Sequence, residues 1–211
     1  MTHGMFARFS GDGTQARRLA GRLEVALGFV LVLALPLLLV APAVAKVGKD
    51  SCVGTDACLD NTASIGNNSC DGQQACLSNT GTVKNNSCDG LAACVRNTGP
   101  VGNDSCNGVE ACINNSGTVR NNSCDGFQAC VLNTGASIGN GSCDGDRTCI
   151  LNSGTVGSGS CDGDGACVLN SGNIGNGSCV GVAACALNSG NIGPGQCIGD
   201  HACENNTVDI P

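Results

Sequence analysis

The hydrophobic residues of this chain follow two different patterns. Residues 26–45 form a continuous uncharged apolar run, whereas single aliphatic residues recur every 18 residues from Val47 onward, with one step of 19. These recurring positions are Val47, Ile65, Val83, Val101, Val119, Ile138, Val156, Ile174 and Ile192. A fixed period kept over nine units is the sequence signature of a repeat architecture, so we predict an N-terminal segment followed by an array of repeats.

The apolar run has the features of a secretory signal peptide. Four arginines precede it, and it ends in Ala43-Val44-Ala45, the small-residue pattern of a cleavage site. We therefore predict a signal peptide over residues 1–45 and a repeat domain over residues 46–211. The alternative is an uncleaved membrane anchor through residues 26–45, since about 20 apolar residues can span a bilayer. In both cases the repeats are expected outside the cytoplasm, secreted or at the cell surface, where disulfides persist.

The cysteines repeat with the same period as the aliphatic residues. All 18 fall into nine pairs with five residues between partners, and the single step of 19 implies an extra residue near Ala136-Ser137. The pairs are Cys52/Cys58, Cys70/Cys76, Cys88/Cys94, Cys106/Cys112, Cys124/Cys130, Cys143/Cys149, Cys161/Cys167, Cys179/Cys185 and Cys197/Cys203. Pairing within repeats leaves no cysteine over, whereas pairing between repeats leaves one in each column of nine, so parity favours disulfides within repeats. Metal–thiolate clusters are the alternative, although this is not a familiar zinc spacing.

Small and polar residues also keep fixed places in the repeat. Glycine stands two residues after the first cysteine of every pair, and asparagine, followed by threonine or serine, stands three residues after the second. Eighteen residues are too few for a helical hairpin repeat, and glycine and asparagine at several points would interrupt a helix. We predict short strands joined by tight turns: an all-β, single-stack β-solenoid (β-helix) of nine 18-residue coils, each with an intra-coil disulfide, its handedness undetermined. The asparagines are expected to form a structural ladder.

Parts of this pattern resemble known families. The stretch Ile65-Gly66-x-x-Ser69-Cys70 resembles the hexapeptide of left-handed β-helix proteins, but the next hexad begins with Asp71, where that family has an aliphatic residue. The acyltransferases of that family use a catalytic histidine that no repeat supplies, so the resemblance implies no activity here. The cysteine spacing resembles that of the beetle antifreeze proteins, in which inward-facing cysteines brace each coil of a shorter repeat. The unit IGNNSCDGxxAC is also similar to secreted repeat proteins of microbes and algae.

Composition and charge disfavour several classes of function. The sequence has no Trp and no Tyr, and Phe127 is the only aromatic residue of the repeats. With His201 as their single histidine, the repeats lack the usual acid–base groups, so we expect no enzyme, no catalytic residue, no cofactor and no bound metal. Residues 46–211 carry six Lys and Arg against 15 Asp and Glu, a net charge of −9, which disfavours nucleic acid and anionic membrane surfaces.

Three functional hypotheses follow. The first is a secreted or cell-surface structural and interaction protein, a rigid rod that associates end to end or with an extracellular polymer or surface. The second is ice binding by hydroxyl residues around the Asn-Thr/Ser-Gly segment, a face that Pro100 and Ala136 interrupt. The residues predicted for this face are Thr62, Thr80, Thr82, Thr98, Ser116, Thr118, Thr134, Ser153 and Thr155. The third is Ca²⁺-dependent surface or matrix binding through the aspartates that follow the first cysteines.

Overall fold

A computed structural model of the chain describes residues 45–135 and 137–211, which fall within the compact unit Val44–Pro211. The predicted signal peptide and the alternative membrane anchor lie outside the described residues, apart from Ala45. Across the described ranges, no helix has the length and hydrophobicity that crossing a bilayer requires.

Consecutive repeats stack so that equivalent residues lie side by side. The described ranges contain no helix and two short strands, β1 (Thr118–Val119) and β2 (Ser137–Ile138), which pair in parallel with Thr118 opposite Ser137. Other coils pair through single-residue parallel bridges, nearly all in the column of opening aliphatic residues, which we call the aliphatic column. These bridges are Val47–Ile65, Ile65–Val83, Val83–Val101, Val101–Val119, Ile138–Val156, Val156–Ile174, Ile174–Ile192, Val180–Ile198 and Ile192–Ile210. The strands are short because turns occupy most of each coil.

The single step of 19 residues leaves the stacking register unchanged. Ser137 pairs with Thr118, and the Val156 N–H donates to the Ser137 carbonyl at 2.9 Å, as the Val83 N–H donates to the Ser64 carbonyl at 3.0 Å. The extra residue therefore lies before Ser137. The expected interruption of the hydroxyl face at this coil is wrong, because the place assigned to Ala136 belongs to Ser137.

Overlapping turns form the segment that contains the two cysteines of a repeat. In the second coil, turns begin at Gly72, Gln74 and Cys76. Each turn is closed by a hydrogen bond of 3.2 Å, in which the carbonyl of its first residue accepts the N–H of its fourth residue. The third residues of these turns, Gln74, Cys76 and Ser78, have positive φ values of 59°, 54° and 55°, as type II turns require. All 18 cysteines of the chain have positive φ, between 50° and 63°.

Hydrogen bonds between coils hold this left-handed backbone in place. A left-handed non-glycine residue costs about 1–2 kcal/mol, and it persists where the surrounding structure over-determines it. In the second coil, the Gln74 and Ser78 N–H groups donate to carbonyls of the preceding coil at 2.8 Å, and the Cys76 N–H donates to the Ala93 carbonyl of the following coil at 2.8 Å. Each turn is therefore fixed from both sides.

Every repeat contains one disulfide, and the predicted pairing within repeats is confirmed. All 18 cysteines bond to the partner six residues away, and no cysteine among the described residues is free. The bonds are Cys52–Cys58, Cys70–Cys76, Cys88–Cys94, Cys106–Cys112, Cys124–Cys130, Cys143–Cys149, Cys161–Cys167, Cys179–Cys185 and Cys197–Cys203. Each cross-link therefore closes a short loop inside its own coil, and the coils are joined to one another without disulfides.

The core of the stack is narrow and rich in sulfur. The cysteines of the seven inner disulfides are fully buried, whereas those of the Cys52–Cys58 and Cys197–Cys203 disulfides are partly buried. Aliphatic side chains and alanines such as Ala75 complete the apolar part of the core. Sulfur thus occupies the interior positions that aromatic side chains fill in larger domains.

Asparagines form a continuous hydrogen-bonded ladder inside the stack. The buried asparagine column consists of Asn79, Asn97, Asn115, Asn133, Asn152, Asn170 and Asn188, all with 0% exposure. Asn97 Nδ2 donates to Asn79 Oδ1 at 2.9 Å and to the Gly99 carbonyl at 2.7 Å, and Asn115 Nδ2 donates in turn to Asn97 Oδ1 at 2.8 Å. Both amide hydrogens and the amide oxygen are thus used, as the sequence predicted for a structural ladder.

A second buried polar column consists of serines. Its fully buried members are Ser69, Ser87, Ser105, Ser123, Ser142, Ser160 and Ser178. The Ser87 hydroxyl donates to the Gly102 carbonyl at 2.7 Å, and its oxygen accepts the Ser105 N–H at 3.3 Å. Among the described residues, no buried side-chain nitrogen or oxygen lacks a hydrogen-bond partner. The polar half of the core therefore carries no unsatisfied group that would weaken the stack.

The substitution Asn115→Asp tests the ladder. Aspartate has the same shape but replaces the Nδ2 donor with an oxygen facing Asn97 Oδ1 and the Gly117 carbonyl. We expect the free energy of unfolding to fall by about 3 kcal/mol or more, because an unpaired charge is buried. The measurement is denaturant unfolding of the oxidised protein. Asn114→Asp is the matched control on a half-buried neighbour, and equal losses in the two variants would contradict the role of the ladder.

Candidate functional site

Two outward-facing columns of mostly hydroxyl residues flank a buried glycine column. In the second coil, Thr80 and Thr82 are exposed and Gly81 between them is buried. The first hydroxyl column consists of Thr62, Thr80, Thr98, Ser116, Thr134, Ser153, Ser171, Ser189 and Thr207, all exposed. The second hydroxyl column consists of Ser64, Thr82, Pro100, Thr118, Ser137, Thr155, Asn173, Asn191 and Asp209.

Close contact between coils turns these side chains outward. A Cβ built on Gly81 would overlap the carbonyl oxygen of Gly99, so the backbones of neighbouring coils touch at the glycine. The Thr80 N–H donates to the Asn97 carbonyl at 2.9 Å, which fixes the first column on the same backbone. Equivalent hydroxyls therefore repeat at the coil spacing, about 4.8 Å for hydrogen-bonded chains.

The structure brings all nine residues predicted for the face into these two columns. Sequence reasoning missed Ser171, Ser189 and Thr207 in the first column and Ser64 and Ser137 in the second. The first three follow the same recurring asparagine as the predicted residues, and that signal was available in the sequence. Ser137 required the pairing register, because the extra residue of this coil shifts it by one place.

The predicted disulfide cysteines lie inside the stack and take no part in the outward-facing columns. The second cysteines of the inner repeats are fully buried: Cys76, Cys94, Cys112, Cys130, Cys149, Cys167 and Cys185. Their partners are buried to the same extent: Cys70, Cys88, Cys106, Cys124, Cys143, Cys161 and Cys179. These 14 residues therefore serve the fold, and a ligand on the surface of the stacked coils does not reach them.

The second column changes its chemistry along the stack. Pro100 interrupts it in one coil, and its last three members are Asn173, Asn191 and Asp209. In this last part the side chains accept backbone hydrogen bonds: the Thr155 N–H donates to Asn173 Oδ1 at 3.2 Å, and the Asn191 N–H donates to Asp209 Oδ1 at 2.8 Å. Only the first column therefore presents hydroxyls in every coil.

The aspartates after the first cysteines form a third column on the surface. The aspartate column reads Val53, Asp71, Asp89, Asn107, Asp125, Asp144, Asp162, Val180 and Ile198. Its carboxylates cap the backbone of the coil before them: the Val53 N–H donates to Asp71 Oδ1 at 2.9 Å, and the Asp71 N–H donates to Asp89 Oδ1 at 3.0 Å. These carboxylates consequently serve the stacking of the coils.

Burial and neighbouring charges disfavour the ionised form of these carboxyl groups. Partial burial is the main cause that raises the pKa of Asp89, Asp125 and Asp162. The pKa of Asp144 is raised to about 6, first by burial and then by the like charges of Asp125 and Asp162, against the opposing hydrogen bond from the Asp125 N–H. The middle of the aspartate column is therefore where lowering the pH relieves repulsion.

Sulfur atoms form the only close groups of potential metal ligands in the described part of the chain. These groups are Cys76, Cys88 and Cys94, and Cys143, Cys149 and Cys161, with ligand atoms within 4.8 Å of one another. Every one of these sulfurs is bonded in a disulfide, whereas metal binding requires thiolates. The described aspartates form no such group, so the Ca²⁺ hypothesis gains no support from the geometry.

Comparison with known proteins identifies the family of this repeat. A family model with the description "Domain of unknown function (DUF7640)" matches residues 40–109, 75–182 and 146–210. The chain belongs to the DUF7640 family. The three DUF7640 matches overlap, as expected when a multi-repeat model is placed on a chain of near-identical repeats. No curated protein and no solved structure matches the chain.

The aspartate column predicts an unusual pH dependence for this DUF7640 chain. A carboxyl group whose pKa is raised by folding binds its proton more tightly in the folded state, so Asp144 destabilises the fold above its pKa of about 6 and ceases to do so as the pH falls toward 4. Asp144→Asn keeps the oxygen that accepts the Asp125 N–H. We expect it to raise the melting temperature at pH 7 and to change it little at pH 4.5.

The control is Asp56→Asn, which removes the same charge at an exposed position with no side-chain hydrogen bond among the described residues. Melting temperatures of the oxidised variants at both pH values measure the effect. A pH-dependent gain that is equal in the two variants would assign it to net charge and not to the aspartate column.

Proposed function

We propose that residues 46–211 are an extracellular, non-catalytic structural module, a rigid β-solenoid rod with a disulfide in every coil. The observation that carries this proposal is the disulfide series: nine repeats each contain one, and the inner seven are fully buried. Disulfides at this density indicate an oxidising environment, as outside the cell. A disulfide cross-link in every coil favours a fixed shape over conformational change.

The distribution of chemistry along the chain supports a structural role. Catalytic sites place unlike groups together at one point, whereas this chain repeats the same groups in every coil. The buried asparagines and serines direct their hydrogen bonds to neighbouring coils, and so do the column aspartates. What the rod presents to partners is therefore a set of long, regular surface columns.

Counting thiols in the exported protein tests the proposal. We expect almost no free thiol in denaturant without reductant, and 18 after reduction. We also expect reductant to lower the melting temperature strongly, since loss of native disulfides costs about 2–5 kcal/mol in small secreted domains. Many free thiols, or bound metal released by denaturation, would overturn the proposed module.

Ice binding is a second candidate function, favoured by the exposed hydroxyl columns. The first column presents a hydroxyl in every coil, and the second adds one in five coils: Ser64, Thr82, Thr118, Ser137 and Thr155. The buried glycines between the columns, such as Gly81, add no side chain to this face, whereas Ala63 and Val208 occupy this place in the first and last coils. Hydroxyl groups that repeat at a regular spacing along a surface are suited to binding the repeating lattice of water in ice.

Thermal hysteresis of the oxidised protein distinguishes this second candidate. If the hydroxyl columns bind ice, the unmodified protein will shape ice crystals. Thr80→Tyr will reduce this ice shaping, because the larger tyrosine side chain projects above the face. Gln73→Tyr, at an exposed position outside the two columns, is the control and should retain activity. Absence of ice shaping by the unmodified protein would eliminate this candidate while leaving the structural module untouched.

A further inference from the structure

A groove lies along the stack between the second hydroxyl column and a row of surface asparagines. Its floor is the aliphatic column and the residue after each aliphatic position. One cavity of about 270 Å³ is lined by Pro100, Val101 and Gly102, and another of about 350 Å³ is lined by Ile65 and Gly66. Lys84 lines both cavities, so the two are parts of one groove.

Two basic residues stand where the groove otherwise has glycine. The residue after the aliphatic position is glycine in seven coils, which makes the surface concave there: Gly48, Gly66, Gly102, Gly139, Gly157, Gly175 and Gly193. Only Lys84 and Arg120 depart from this rule. They are two coils apart, which corresponds to about 10 Å at the usual spacing of hydrogen-bonded chains. Gly102 lies between them, so both side chains border the same concave site.

The groove concentrates positive charge on an otherwise acidic domain. Residues 46–211 have a net charge of −9 and only six basic residues, yet Lys46, Lys84 and Arg120 line these two cavities and no acidic residue does. The ion pairs among the described residues join Lys49 to Asp50 and His201 to Glu204, so neither Lys84 nor Arg120 is paired. Their charges remain available to a ligand.

The surface asparagines add a row of hydrogen-bond donors along one wall. We call Asn67, Asn85, Asn103, Asn121 and Asn140 the wall asparagines. Each Oδ1 accepts a backbone N–H from the preceding coil; the Asn67 N–H donates to Asn85 Oδ1 at 2.8 Å, and the Asn103 N–H donates to Asn121 Oδ1 at 2.9 Å. This contact fixes the orientation of the amide. The Nδ2 groups of these asparagines donate to no acceptor in the described part of the protein, which leaves them for a ligand.

We propose that this groove binds an extended acidic polysaccharide. Lys84 and Arg120 take carboxylate or sulfate groups on alternate sugar units, and the wall asparagines donate to hydroxyl and ring oxygens. A peptide that binds as an added β-strand is disfavoured, because the backbone of the groove is already hydrogen-bonded between coils. The Lys84 N–H donates to the Val101 carbonyl at 3.1 Å, and the Gly102 N–H donates to the Val119 carbonyl at 2.8 Å. The proposal rests on the extracellular structural role proposed above and names its partner.

Fluorescence anisotropy with labelled polymers tests the proposal. The oxidised protein should bind polygalacturonate or dextran sulfate, should ignore neutral dextran, and should lose binding near 1 M salt, where screening reduces the Debye length to about 3 Å. Because several weak contacts act together, longer polymers should bind more tightly than short ones. Preference for polygalacturonate or for dextran sulfate identifies the anionic group. Equal binding of polyglutamate would overturn the assignment to a polysaccharide.

A pair of double variants locates the site. Lys84→Gln with Arg120→Gln should weaken polymer binding roughly tenfold or more, since it removes two charge-assisted contacts. Arg96→Gln with Arg147→Gln makes the same change in net charge outside the groove, at an exposed position and beside Phe127 respectively, and should retain binding. Equal weakening in both would contradict the groove. If binding is absent while the thiol count stays near zero, this inference fails and the structural module stands.

Discussion

The stack of repeats depends on one constraint: each buried residue must fit against its own equivalent in the next coil. The aliphatic bridges, the serine contacts and the asparagine ladder all satisfy this condition. Asn97, for example, accepts from Asn115 and donates to Asn79, so its amide serves three coils. A substitution in one coil therefore acts on both neighbours, and stability is a property of the interfaces between coils, as in other repeat proteins.

The same constraint accounts for the composition. Backbones that touch at Gly81 and Gly99 leave little depth inside the coil, and the interior is filled by disulfides, alanine, serine and asparagine in place of aromatic rings. The left-handed turns at the cysteines fit this narrow interior, because they direct alternate backbone N–H groups to the two neighbouring coils. Cross-links and inter-coil hydrogen bonds together hold a backbone that few residues adopt alone.

Periodicity predicted which residues stack, which cysteines lie in the same repeat and that the asparagines would form a ladder, because these depend only on residue type at fixed intervals. It did not predict positive φ at residues such as Gln74 and Ser78, where glycine or asparagine would be the usual signal. The site of Ser137 depended on register. The groove beside Lys84 was missed because its donors are defined by the hydrogen bonds that each wall asparagine has already used.

The buried asparagine column also gives the stack an electrical direction. Every Nδ2 in it donates toward the N-terminal neighbour, from Asn79 to Asn61 through to Asn188 to Asn170, so the amide dipoles point the same way. The backbone bonds between coils run both ways and largely cancel: the Cys76 N–H donates forward and the Gln74 N–H donates backward. Aligned dipoles in a chain of hydrogen bonds polarise one another. The column therefore has a net dipole along the stack, comparable to a helix macrodipole but formed by side-chain amides.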